Sequence, residues 1–158
     1  MYSFRELSKD YDTFEYTFVG ENANILKTWT EAAEVLDLKL NHVFFESERV
    51  KDNNLNYSFH TELDHVIETT DVLLTDPIPE DERTKAYYEK YQINLSKLKK
   101  AKESILVNPC PPFCRNEEIH EAVIESKYFV GYRFKQNLVY VQQAIILKCL
   151  NYNLNDIK

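Results

Sequence analysis

The 158-residue sequence has only two glycines, three cysteines and fewer cations than anions, with 19 Lys and Arg against 26 Asp and Glu. Two glycines cannot form a GxGxxG turn or a P-loop, so both phosphate-binding loops are excluded. Three irregularly spaced cysteines do not suit a disulfide framework, and we expect a cytoplasmic location. A net charge of −7 argues against a general nucleic-acid binder.

Long apolar runs are also missing. No stretch approaches the roughly 20 residues of a membrane span, and no signal peptide opens the chain, so we expect no membrane partner. The content of 44% hydrophobic and 28% charged residues is typical of a globular protein, and the length predicts a single domain. We interpret residues 1–13 as a polar lead-in outside the core and residues 14–158 as the domain.

Short apolar segments alternate along the chain with segments in which apolar residues recur at helical spacing. The predicted strands are residues 16–19, 40–45, 72–74, 104–107 and 128–130. The predicted helices include residues 24–36, 61–67, 117–125 and 137–150. This alternation is typical of a parallel sheet, so the predicted fold is a three-layer, Rossmann-like α/β domain with helices on both faces.

Unusual residues follow three of the predicted strands, where parallel sheets bind their ligands. They are residues 20–24, Thr75 with Asp76, and residues 108–115. We expect these three corners of the chain to converge on one crevice that holds a zwitterion.

Four segments, in one chain order and at matching spacing, resemble a known family. Residues 18–33 (FVGENANILKTWTEAA) resemble GDGNN…SW…AA, and residues 71–76 (DVLLTD) resemble AD..YTD. Residues 91–94 (YQIN) and 109–119 (PCPPFCRNEEI) are similar to YQV…HCLPAHRGEEI, and residues 136–144 (QNLVYVQQA) to ENRLHVQKA. These are motifs of the ornithine and aspartate carbamoyltransferases, in the domain that binds the amino acid.

The resemblance implies a role for each candidate residue. Asn24 would bind the substrate carboxylate at a helix N-terminus, and Asp76 would hold the substrate ammonium group. Cys110 would be the catalytic residue beside the reacting amine, and Arg115 could reach a carboxylate. The implied ligand is an ornithine-like or aspartate-like amino acid, with no cofactor and no metal. The family also implies a cis peptide bond before Pro112.

Each candidate residue has a simpler interpretation that stays open. Asn24 could be a plain helix cap, Asp76 could open a proline turn, Cys110 could be inert, and Arg115 could pair with Glu117 or Glu118. A zinc site from Cys110, Cys114 and His120 is disfavoured, because the spacing is not a metal-knuckle pattern. We interpret His42, His60 and His65 as surface or packing residues.

Several family features are missing. The sequence has no carbamoyl-phosphate domain, Pro109 and Pro111 replace the His and Leu of HCLP, and Leu138 replaces the Arg of ENR. The isolated chain is therefore predicted to be inactive. It could serve a separate carbamoyl-phosphate-binding chain, be an inactive binding or regulatory module, or be a fragment of a larger enzyme. The apolar residues of helix 137–150 exceed one stripe, which predicts self-association or a partner there.

Overall fold

The structure, a computed structural model, describes residues 1–8, 10–50 and 54–150. The strands within these residues are β1 (Glu15–Val19), β2 (Lys39–Val43), β3 (Tyr57–His60), β4 (Val72–Thr75) and β5 (Leu106–Pro109). The helices are α1 (Tyr2–Leu7), α2 (Asn24–Leu36), α3 (Lys85–Lys90), α4 (Leu95–Leu98), α5 (Glu121–Ile124) and α6 (Gly131–Cys149). Among the helices so described, none has the length and apolar character needed to cross a membrane.

The five strands form one parallel sheet in the order β3-β2-β1-β4-β5. Three neighbouring strands end in register, because Val19 of β1 lies opposite Thr75 of β4, and Thr75 lies opposite Pro109 of β5. The residues that follow these strands therefore start at the same level of the sheet.

Helices cover both faces of the sheet, as the α/β prediction requires. One face packs against α1, α2 and α6, and its buried residues include Phe4, Tyr16, Phe18, Leu26, Ala33, Val72 and Leu74. The other face packs against α3, α4 and α5, and its buried residues include Val19, Val43, Leu73, Tyr87, Leu98, Val107 and Val123. Alternate strand residues thus serve opposite faces, and the two apolar layers stabilise the sheet from both sides.

Residues 1–13 are not separate from the core. Phe4 of α1 is 1% exposed, and its ring centroid lies 5.6 Å from that of Tyr16 and 4.8 Å from that of Phe134. The interpretation of this segment as a lead-in outside the core is therefore wrong for α1. The aromatic residues Tyr2, Phe4 and Tyr11 stand among polar residues without a regular spacing, so the sequence did not indicate which of them is buried.

Several element boundaries also differ from the sequence-based prediction. The helix expected at residues 61–67 is a 3-10 turn, Leu63–His65. The helix expected at residues 117–125 is limited to α5, because the backbone of Glu118 and His120 instead bonds to Ile93. The strand expected at residues 128–130 is reduced to a bridge between Val107 and Phe129. The edge strand β3 was not predicted.

Candidate functional site

Three loops start side by side at the carboxyl edge of the sheet. Gly20 follows β1, Asp76 follows β4 and Cys110 follows β5. The register of these strands confirms that the three chain corners converge. We call the space at Gly20, Asp76 and Cys110 the carboxyl-edge crevice.

Asp76 and Cys110 are neighbours in this crevice. The backbone N–H of Cys110 donates a hydrogen bond of 2.8 Å to the carbonyl oxygen of Thr75, which brings the thiol beside the Asp76 carboxylate. Burial raises the pKa of Asp76, and the neighbouring thiol partly opposes this shift. Burial and the Asp76 charge raise the pKa of the Cys110 thiol, whereas Lys135 lowers it. At neutral pH, Cys110 is therefore a neutral thiol rather than a thiolate nucleophile.

Gly20 brings the backbone after β1 close to Asp76. A Cβ atom at this position would lie 3.4 Å from the Cβ of Asp76 and 3.0 Å from the Phe18 ring. Glycine fits here because it has no side chain to occupy that space. A side chain at position 20 would thus touch Asp76, which shows that the first and second corners of the crevice are neighbours.

His42 of β2 holds the Gly20 corner from beneath. Its side chain is fully buried, with Nε2 2.8 Å from the carbonyl oxygen of Gly20 and Nδ1 2.8 Å from the hydroxyl of Tyr57. Because a carbonyl can only accept, Nε2 carries the proton and Nδ1 accepts from the Tyr57 hydroxyl. Burial lowers the pKa of His42 to about 4, so the imidazole is neutral at physiological pH.

Carboxylates surround the crevice. Burial raises the pKa of Glu21, and repulsion from Glu48, Asp76 and Asp81 adds to that shift. Burial likewise raises the pKa of Glu82, with repulsion from Glu48, Asp81 and Glu21 as further causes. Because several negative charges act on Glu21 beside Asp76, the potential at this side of the crevice is negative and favours a cationic ligand group.

Asn24 lies at the start of α2, four residues after Gly20. The N-cap of α2 is Ala23, and Asn24 is the first helical residue, with an exposed side chain. Its interpretation as a plain helix cap is therefore wrong. A direct contact between Asn24 and Asp76 is not formed among the described residues.

Arg115 lies further along the loop that starts at Cys110. Its side chain is exposed, and its backbone forms a bridge with Ile119. The expected pairing with Glu117 or Glu118 is wrong, because Glu117 pairs with Arg83 at 3.2 Å and Glu118 accepts a hydrogen bond from the Cys114 backbone. The structure thus brings Asp76 and Cys110 together and leaves Arg115 at the loop surface.

A cavity of about 470 Å³ opens beside Cys110. It extends between α2 and α6, and its walls include Ile25, Trp29, Phe134 and Leu138. Of the four predicted site residues, only Cys110 lines this cavity. The cavity is therefore an apolar extension of the crevice on the α6 side.

The zinc alternative finds no support in the described part of the chain, where no three His, Cys, Asp or Glu side chains are grouped to hold a metal ion. His120 is the N-cap of α5, and its Nδ1 accepts a hydrogen bond of 3.2 Å from the N–H of Ala122. This capping bond accounts for a polar side chain at that position.

The residues that depart from the family pattern occupy ordinary structural positions. Pro109 is buried at the end of β5, and Leu138 is 41% exposed on α6. The peptide bond between Pro111 and Pro112 is cis, which confirms the expectation for this loop. Neither Pro109 nor Leu138 has a side chain that could hydrogen-bond to a phosphate.

Comparison with known proteins decides the family. Residues 12–149 match the family model of the "Aspartate/ornithine carbamoyltransferase, Asp/Orn binding domain". The chain belongs to the aspartate/ornithine carbamoyltransferase family. The matched range includes all five strands of the sheet and the four candidate site residues.

Individual carbamoyltransferases match over nearly the whole chain. Ornithine carbamoyltransferase of Archaeoglobus fulgidus is 24% identical over 92% of this chain and 52% of its own length. The enzyme of Syntrophus aciditrophicus is 27% identical over 92% of this chain and 53% of its own length. The structure of the Burkholderia thailandensis enzyme superposes with a TM-score of 0.81, at 21% identity, covering 92% of this chain and 50% of that one. The chain spans about half the length of the curated relatives it matches.

Sequence reasoning missed the residues that support the crevice from beneath. His42 was interpreted only as a surface or packing residue, although it holds Gly20. Its position two residues after Leu40, on a strand predicted to be buried, was an available signal, since a histidine on a buried face needs hydrogen-bond partners. Glu118 and Gln92, which contact the Cys110 loop, had no comparable signal in the sequence.

Proposed function

We propose that this chain binds the amino-acid substrate of a carbamoyltransferase at the carboxyl-edge crevice and supplies half of the active site. Asp76 holds the substrate ammonium group, Asn24 faces its carboxylate, and the Cys110 thiol lies beside the reacting amine. Arg115, exposed on the loop that starts at Cys110, is included as a second ligand of the substrate carboxylate. The main support for this proposal is the contact between Asp76 and Cys110. These residues directly follow β4 and β5, which end at the same level of the sheet.

The chemistry needs a second component. In carbamoyl transfer, the neutral amine nitrogen attacks the carbamoyl carbon, a C–N bond forms, and the C–O bond to phosphate breaks. Phosphate leaves with the bonding electrons, and the amine gives up a proton. The contribution of this chain is to bind and orient the amine. Carbamoyl phosphate would come from a separate chain, so the isolated chain binds the amino acid without consuming it.

The charge of the crevice favours an ornithine-like ligand over an aspartate-like one. Glu48, Asp76 and Asp81 lie near enough to Glu21 to raise its pKa, and this group of carboxylates repels a second substrate carboxylate. A second ammonium group would instead be attracted. Ornithine carries one more cationic group and one fewer carboxylate than aspartate. The negative potential of the crevice therefore attracts ornithine and repels aspartate.

Titration calorimetry with L-ornithine and L-aspartate tests this function. We expect the parent chain to bind L-ornithine and the Asp76→Asn variant to bind it at least about tenfold more weakly, because a charge-assisted contact is lost. Glu34→Gln removes an exposed carboxylate from α2 and is the matched control. Absence of heat with both amino acids at millimolar concentration would refute the proposal.

The association surface of the chain is α6. Its exposed apolar residues are Tyr132, Leu138, Val139, Tyr140, Ile145 and Ile146. This helix contains no acidic residue, and an exposed apolar face of this kind is typical of an interface. We include in the proposal that α6 docks against the carbamoyl-phosphate chain or against a second copy of this chain.

A second candidate function is an inactive binding or regulatory module of the same family. The presence of Pro109 and Leu138 in place of the family's His and Arg favours it. The two functions differ in turnover. Mixed with a carbamoyl-phosphate domain and both substrates, an active half-site releases phosphate, whereas a binding module only binds the amino acid.

A further inference from the structure

The loop that carries Cys110 is tied down at both ends. At its start, the Cys110 N–H donates to Thr75 at 2.8 Å. At its end, Nε2 of Gln92 donates to the carbonyl oxygens of Asn116 and Glu117 at 2.8 and 2.9 Å. We call residues 110–116 the Cys110 loop.

The middle of the Cys110 loop has few backbone donors. Pro111 and Pro112 lack an N–H group, so they cannot fix the loop by donating hydrogen bonds. The N–H of Cys114 donates to Oε1 of Glu118 at 2.8 Å. This hydrogen bond joins the middle of the loop to the body of the domain.

Glu118 is a fixed anchor. Its residue is 1% exposed, and its carbonyl oxygen accepts a hydrogen bond of 2.9 Å from the N–H of Ile93. The next peptide unit returns the contact, since the N–H of His120 donates to the carbonyl oxygen of Ile93 at 2.9 Å. The backbone on both sides of the carboxylate is therefore bonded to the segment between α3 and α4.

Burying a carboxylate at this position costs free energy unless hydrogen bonds replace the water that the group loses. Oε2 of Glu118 is buried and has no hydrogen-bond partner within the described residues. Burial raises the pKa of Glu118, whereas hydrogen bonds from the backbone N–H groups of Glu118 and Cys114 oppose that shift; Glu117 adds to it by repulsion and Arg83 opposes it. The bond from Oε1 to the loop is the interaction that the buried group provides.

We propose that Glu118 is a positioning residue: its carboxylate oxygen fixes the Cys110 loop through the N–H of Cys114, and thereby keeps the Cys110 thiol against Asp76. Glu118 acts through the loop backbone and does not itself touch a ligand. The inference deepens the proposed function, since it concerns the same site. Its test uses only thiol chemistry and no amino acid, so either idea can fail without the other.

The test is the pH profile of Cys110 alkylation by iodoacetamide, in which the thiolate sulfur displaces iodide. A Cys114→Ser, Cys149→Ser background leaves Cys110 as the only thiol, and serine keeps the backbone N–H at position 114. Three variants are compared in this background. Glu118→Met fills the buried volume without a strong acceptor, Glu118→Gln keeps an acceptor without charge, and Glu125→Gln is an exposed control on the same segment.

We expect Glu118→Met to move the midpoint of the profile to lower pH, since a released loop takes the thiol away from burial and from Asp76. A midpoint lower by one pH unit raises the alkylation rate at neutral pH about tenfold, because the thiolate fraction rises by that factor. We expect Glu118→Gln and Glu125→Gln to keep the parental profile. A parental profile for Glu118→Met would overturn the inference, and so would an equal change in Glu118→Gln.

A second measurement covers the case in which Glu118→Met does not fold. Hydrogen exchange of the Cys114 amide in the unsubstituted protein reports the bond directly. We expect exchange at least about tenfold slower than in an unstructured peptide. Exchange at the peptide rate would show that the bond does not hold the loop, and the inference would be wrong.

Discussion

The Nε2 atom of His42 donates a hydrogen bond of 2.8 Å to the carbonyl oxygen of Gly20, and this places an uncharged histidine directly beneath the candidate site. The opposite nitrogen accepts from Tyr57 at 2.8 Å. Both ring nitrogens are therefore used, and a second proton on the ring would turn Nδ1 into a donor, so that the Tyr57 hydroxyl could no longer donate to it. The support of the crevice thus depends on the protonation state of one side chain.

The stability of the fold should depend on pH through His42. The pKa of this group is about 4 in the fold and about 6.5 in an unfolded chain. Between these values the unfolded chain binds more protons, so the free energy of unfolding falls as the pH decreases from about 6.5 to about 4. The loss from this group approaches about 3 kcal/mol at the lower limit. Urea denaturation at several pH values measures it.

The control for this prediction is a pair of substitutions. His42→Gln removes the titrating ring, and we expect the free energy of unfolding of this variant to change less with pH between about 4 and 6.5. His65→Gln removes an exposed histidine and should leave the dependence as in the parent. Equal slopes in the parent and His42→Gln would contradict the prediction.

Tyr57→Phe should destabilise the fold. The variant leaves Nδ1 of His42 buried without a donor and the N–H of Val50 without the hydroxyl that accepts from it at 3.2 Å. We expect the free energy of unfolding to fall by about 1–2 kcal/mol. Urea denaturation at pH 7 is the measurement, with Tyr140→Phe as a control because Tyr140 is 65% exposed. A loss no larger than that of the control would show that the network contributes little.

Asp76→Asn should not weaken the fold at pH 7, although it removes a proposed ligand contact. Because the pKa of Asp76 is raised in the fold, the folded state disfavours the ionised carboxylate. This group therefore contributes less stability at neutral pH than at acid pH. We expect a free energy of unfolding within about 0.5 kcal/mol of the parent, or above it. A marked loss would mean that Asp76 is held by contacts that support the fold.

Ile146→Glu should weaken association through α6. The side chain of Ile146 is 58% exposed, so a charge there does not disturb the core. We expect the association constant from sedimentation equilibrium to fall at least about tenfold, while the unfolding free energy stays within about 0.5 kcal/mol. Gln136→Glu adds the same charge at an exposed polar position of α6 as a control. A parent chain that is monomeric at high concentration, alone and with a carbamoyl-phosphate domain, would remove this surface from the proposal.

Much of the fold could be predicted from the sequence, because the central strands are short apolar segments between segments of helical spacing. β1 and β4 are where those patterns placed them. The edge strand β3 could not be predicted in the same way. Its residues are only partly buried or exposed, so the chain carries no apolar run there.

Part of the candidate site could also be predicted from the sequence, because two of its residues directly follow apolar strands. Asp76 and Cys110 follow recognisable strands, and the strand order brings them together. The supporting contacts of Glu118 depend on a bridge between Ile93 and Ile119, which lie far apart along the chain. Such a contact between segments without strand character has no local pattern. The same bridge limits α5 to four residues, where the sequence favoured a longer helix.

The strands β1, β4 and β5 end at the same level of the sheet, and this affects which substitutions the protein can tolerate. The corners at 76 and 110 owe their arrangement to the main-chain pairing of β4 with β5, which does not depend on the side chains that follow these strands. Single exchanges at these corners can therefore add or remove reactivity while the architecture stays intact. If the proposed function holds, a chain built this way retains the binding of a small charged ligand even when residues needed for catalysis are replaced.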